Sequence, residues 1–219
     1  MRIESLKDSG LITNGESGPA LVLAHGAGAP MDSLFMERLA AAVAREECRV
    51  FRFEFPYMQK RRSDGKKRPP DRMPALEAAF IEALAGVRDE IGPRTPLFVG
   101  GKSMGGRVAS LLCASRAVAE FNLKGGLVFG YPFHPPGRSD NWRTEHFDQL
   151  QCPLTIFQGT RDPFGRQQEL AEQPQLPSQV QVNWLAGGEH DFKPLKATGR
   201  VQADLIAEAA AAAAEIMRG

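Results

Sequence analysis

The sequence predicts an α/β fold, a mostly parallel sheet of about six to seven strands with helices on both faces, forming a single domain over residues 1–219. Three observations predict it. Short apolar runs alternate with stretches of helical period, most of the runs are too short to be buried helices, and no repeat or long linker breaks the alternation. At 219 residues the chain can bury one core but has little length to spare for a separate lid.

The elements follow in order. Gly10-Leu11-Ile12-Thr13 suggests an edge strand or hairpin. Ala20–Ala24, Val50–Phe53, Leu97–Val99, Gly126–Phe129, Leu154–Phe157 and Val180–Trp184 supply six strands. Between them, a helix starts at an Asp32 or Ser33 cap and runs through Phe35, Leu39 and Val43. The clearest helix carries Leu76, Phe80, Leu84, Val87 and Ile91 on one face behind Pro74, and another follows Ser103. The last spans about 200–217, where the alanine run 209–214 has high helix propensity and is far too short to span a bilayer. The connection from Gly130 to Pro153 is too short to fold as a lid domain.

Composition narrows the function classes. A formal net charge of +1 gives no global pull toward nucleic acid or membrane, so neither is expected as a partner. Met1–Asp8 carries charges where a signal peptide needs an apolar core. Cys48, Cys113 and Cys152 are odd in number and form no CxxC, so they read as reduced core thiols of a cytoplasmic protein.

Chemistry concentrates at Gly101-Lys102-Ser103-Met104-Gly105, behind one strand and ahead of one helix. A serine in so sharp a turn needs small neighbours two residues away on each side, and both are glycine. Gly-Lys-Ser also ends a phosphate-binding loop, but the earlier glycine of that motif falls on Pro96. A serine hydroxyl needs a base and a carboxylate to orient that base. Asp162 and His190 lie just past the ends of the next strands, in the order acid then base, at the carboxyl edge of the sheet. His134 and His146 precede Asp162 and would break that order; Asp148 is the reserve acid.

Backbone donors for an oxyanion are expected from Ala27 and Met104, with Gly28 in reserve, because His25-Gly26-Ala27-Gly28 follows the first strong strand. A dinucleotide reading of the same glycines fails, since the third glycine would fall on Met31. His25, Gly28, Tyr131, Phe133 and His134 are the expected substrate-side residues, and no metal or cofactor is called for. The segment Lys60–Arg72 holds seven basic and two acidic residues; it reads as a solvated loop, with an acidic protein partner or anionic substrate as the sharper alternative. Arg107, on the first turn of its helix, reads as half of a structural ion pair.

Taken together, Gly100–Arg107, His25–Asp32 and Tyr131–Pro135 resemble the α/β-hydrolase family that includes a testis-expressed protein, a subunit of the animal NSL chromatin complex and many small bacterial members. The likeness runs from about residue 18 to 193 and is similar in plan to dienelactone hydrolases. It implies a lidless or nearly lidless hydrolase fold with nucleophile, acid and base at Ser103, Asp162 and His190. The expected reaction is cleavage of a small-molecule carboxylic ester or thioester through an acyl-enzyme. A peptidase of prolyl-oligopeptidase type is disfavoured by the lack of a gating domain. A non-catalytic binding module using the 60–72 segment is the alternative from another class.

Overall fold

In the computed structural model, which describes residues 10–219, seven strands form one sheet. They are β1 (Ile12–Asn14), β2 (Ala20–Ala24), β3 (Arg49–Phe53), β4 (Leu97–Lys102), β5 (Leu123–Phe129), β6 (Leu154–Gly159) and β7 (Val180–Leu185). Their order is β1-β3-β2-β4-β5-β6-β7, with β1 antiparallel at the edge and all other pairs parallel. From β2 the chain first builds outward to β3, then returns and builds the other way from β4. The crevice at the carboxyl ends of β2 and β4 is therefore the topological switch point, where open α/β sheets hold their ligands.

Among the described residues the α-helices are α1 (Leu34–Ala44), α2 (Pro56–Asp64), α3 (Met73–Ile91), α4 (Met104–Ala114), α5 (Gln167–Ala171) and α6 (Gln202–Arg218). Because side chains alternate along a strand, neighbouring residues serve opposite layers. Leu21, Leu23, Phe98 and Phe129 pack with α1 and α6, while Val22, Val99, Val128 and Ile156 pack with α3 and α4. In α6, Ala209, Ala210, Ala213 and Ala214 form the buried stripe. No helix among the described residues is long and apolar enough to cross a membrane.

The 60–72 segment is not wholly a loop. Residues Lys60–Asp64 complete α2, which opens on Pro56 and closes on left-handed Gly65. The side chain of Asp71 accepts from Tyr57 N (3.0 Å), satisfying a donor that a helix start leaves free. Arg62 pairs with Glu54 and Asp32, and Arg68 with Asp64 at 2.6 Å, so part of the local charge is spent inside the fold.

The 130–153 connection contains one short helical turn, Phe147–Gln149, and no separate lid domain is present among the described residues. It is fastened to α4 by His146. Ser110 Oγ donates to Arg107 O (2.8 Å), so it accepts from His146 Nε2–H at 2.8 Å, leaving buried Nδ1 unprotonated and without a partner. Desolvation pushes the His146 pKa from 6.5 down to about 4. Between those values the unfolded chain binds the extra proton, so stability rises with pH across that window. Acidifying from pH 7 to below pH 4 is expected to cost about 3 kcal/mol at this site. Urea titrations at pH 7 and 4.5 should show a smaller pH difference in His146→Gln than in the wild type.

Candidate active site

β4 delivers Ser103 to the switch point in a strained turn, φ 52° and ψ −115°. The turn closes only because its flanks lack side chains. A Cβ on Gly101 would lie 2.4 Å from Gly105 C, and one on Gly105 would lie 2.6 Å from His25 O. Ser103 O accepts from Arg107 N at 3.0 Å, fixing the first turn of α4.

The turn after β6 supplies Asp162, whose side chain is 0% exposed. Its Oδ1 accepts from Phe164 N (2.9 Å), and its Oδ2 accepts from Gln158 Nε2 (3.0 Å) and from His190 Nδ1 (2.8 Å). A carboxylate offers only acceptors here, so Nδ1 of His190 carries the hydrogen and Nε2 presents a lone pair. That lone pair faces Ser103 Oγ at 2.9 Å. The loop after β7 holds His190 in place: Arg161 N donates to Gly188 O (2.9 Å), Gly187 N donates to Thr160 Oγ1 (2.9 Å), and Phe164 packs on the imidazole with ring centroids 4.3 Å apart.

The loop after β2 lies against the serine; a Cβ on Gly26 would sit 3.7 Å from Ser103 Cβ. His25 Nδ1–H donates to Gly26 O (2.7 Å), and Tyr57 OH donates to Ala27 O (3.1 Å). In a trans peptide the N–H points opposite its carbonyl. With the Gly26 and Ala27 carbonyls held toward these side chains, the N–H groups of Ala27 and Gly28 turn away from them. Met104 begins α4, so its N–H has no partner within the helix.

His25 is itself fully buried, and its Nε2 accepts from Phe55 N at 3.1 Å. Burial pulls its pKa below 6.5, with the Gly26 bond acting the other way. It braces the loop and presents no surface to a substrate. The same correction applies to three other residues expected on the substrate side. Tyr131 and Phe133 lie in the core, with Tyr131 OH donating to Arg143 O at 2.7 Å. His134 is buried against Pro135 O (2.8 Å) and Glu169 (3.3 Å). Gly28 is exposed in the loop.

Two residues near the cluster carry roles that the sequence reading did not assign. Gln158 is fully buried at the end of β6, where its amide donates to Asp162 and its Oε1 accepts from Tyr131 N at 2.7 Å. A polar residue ending a run as apolar as Leu154–Phe157 must find partners, and that was its available signal. Lys102 is buried with Nζ 3.4 Å from Asp191 Oδ1, and desolvation lowers its pKa against the pull of Asp191 and Asp162.

Comparison with solved structures finds the same fold at low sequence identity. A structure of an alpha-beta serine hydrolase homologue from Coxiella burnetii is 15% identical, with TM-score 0.68 over 93% of this chain and 90% of that one. XC6422 from Xanthomonas campestris, described as an a/b serine hydrolase without lid, is 19% identical with TM-score 0.64, over 91% and 85%. Dienelactone hydrolase from Anabaena variabilis is 14% identical with TM-score 0.69, over 94% and 88%. No curated protein is similar enough in sequence to count as a match. The family model described as "Alpha/beta hydrolase domain" matches residues 17–218, and the chain belongs to that family.

Proposed function

We propose that the protein is a serine hydrolase that cleaves a carboxylic ester or thioester through an acyl-enzyme on Ser103. The observation that supports it most is the continuous hydrogen-bond chain from Ser103 Oγ through His190 to Asp162. Ser103 Oγ attacks the carbonyl carbon while its proton passes to His190 Nε2. The carbonyl oxygen gains the negative charge, received by Ala27 N–H and Met104 N–H, with Gly28 N–H alongside. His190 then protonates the departing alkoxide or thiolate. A water, deprotonated by the same nitrogen, attacks the acyl carbon, and Ser103 leaves with its proton restored. Asp162 keeps the imidazole in the tautomer that these transfers need.

Labelling with a fluorophosphonate probe tests the nucleophile. Folded wild type should label stoichiometrically and Ser103→Ala should not; equal labelling of the two, or none of the wild type, sinks the proposal.

The motif likeness supports placing the chain with the small hydrolase-like group named above, and the free, buried Cys48, Cys113 and Cys152 support a reducing, cytoplasmic setting. A binding role for the 60–72 segment has less support, because Arg62 and Arg68 are tied to carboxylates of the same chain.

A further inference from the structure

The chemistry above leaves Arg107 and Arg143 without a role. Arg107 stands one turn beyond Ser103, and side chains on a helix lean toward its N-terminus, here toward the catalytic edge. The connection after β5 folds over this turn. Tyr131 OH holds Arg143 O, and Ser110 joins Arg107 O to His146, so the ties that anchor the connection hold the backbones of Arg107 and Arg143 to neighbouring points, near enough for one charge to act on the other. Burial first, and then the Arg107 charge, weaken the hold of Arg143 on its proton.

The ion pair expected for Arg107 is not formed among the described residues. Neither guanidinium has a carboxylate within 4.0 Å, although exposed Glu145 lies close enough to be felt by Arg143. Arg107 Nε is buried with no acceptor. Elsewhere in the fold Arg88 donates to three carbonyls and Arg62 meets two carboxylates; of the two other arginines whose Nε lacks a partner, Arg52 uses both terminal nitrogens and Arg49 lies over the Phe51 ring, 5.8 Å from its centroid. Two half-buried like charges with an orphaned donor are unfavourable unless something negative joins them. Guanidinium forks suit the paired oxygens of a carboxylate or phosphate.

We propose that Arg107 and Arg143 together bind an anionic group of the substrate, a carboxylate or phosphate set away from the bond that Ser103 attacks. The inference rests on the Ser103 reading and narrows it to esters whose acyl part carries a second, negative end.

Three esters with one leaving group test it: 4-nitrophenyl butanoate, 4-nitrophenyl hydrogen succinate and 4-nitrophenyl 3-phosphonopropanoate. Wild type should favour an anionic ester over the neutral one by about tenfold or more in kcat/KM, and the better of the two anions identifies the group. In Arg143→Gln and in Arg107→Gln that ratio should fall toward one, chiefly through KM, while Arg143→Lys keeps part of it. A ratio near one in the wild type, or one unchanged in both glutamine variants, overturns the proposal. If folded wild type hydrolyses none of the esters, the Ser103 reading fails and the anion site is read by binding. Succinate or inorganic phosphate should then raise the Tm of wild type and not of Arg143→Gln; no difference between them overturns it.

Discussion

Asp162→Asn is expected to lower kcat on a simple ester by about a thousandfold to ten-thousandfold. The carboxylate receives three donors, two at Oδ2 and one at Oδ1, and an amide has only one oxygen. With the NH2 at the Oδ2 position, His190 and Gln158 both meet a donor. The imidazole must then move its hydrogen to Nε2, where it can no longer accept from Ser103. With the NH2 at the Oδ1 position the tautomer survives, but Phe164 N–H is orphaned and the imidazolium formed during attack loses its counter-charge. Either arrangement also costs about 1–3 kcal/mol of stability. Steady-state kinetics alongside thermal denaturation check both; activity within tenfold of wild type would remove Asp162 from the mechanism.

Gly105→Ala is expected to have the largest effect on folding. The added methyl would lie 2.6 Å from His25 O and 2.7 Å from Ala24 O, and both are backbone atoms of β2 and its loop. No rotamer change relieves such a clash. Either α4 moves outward or the loop after β2 moves away, and both motions take Ser103 from Ala27. A loss of about 3 kcal/mol or more is expected, lowering Tm by about 10 °C. Gly28→Ala, whose Cβ meets nothing within 4 Å, is the matched control, and a Tm for Gly105→Ala equal to the control's would contradict this account.

The elements that sequence could locate are those with local signals. Apolar runs marked six strands because parallel strands are buried on both faces, and the glycine-framed turn marked Ser103 because the steric demand lies within five residues. Chain order then singled out Asp162 and His190, which lie within hydrogen-bond reach of one another in the fold. α2 had no such signal. It buries only Tyr57 and Met58, and its polar ties run from Arg62 to Glu54 and Asp32 and from Tyr57 to Asp71 and Ala27, of which Asp32 and Ala27 lie 30 residues away from their partners in sequence. Tyr131, Phe133 and His134 sit in an irregular segment with no period to separate inside from outside, so their burial could not be read from pattern. The engagement of Gln158 depends on two turns meeting at the end of β6.

Under the proposed mechanism, the strand order also sets when the chain becomes reactive. Ser103 directly follows the central β4, but His190, its proposed base, arrives 87 residues later, after β7 has joined the far edge. A chain emerging from the ribosome can form the turn around Ser103 against β2 long before His190 is made. On the acyl-enzyme reading proposed above, the hydroxyl then has no proton acceptor until the last strand docks, and the growing chain is spared premature acylation.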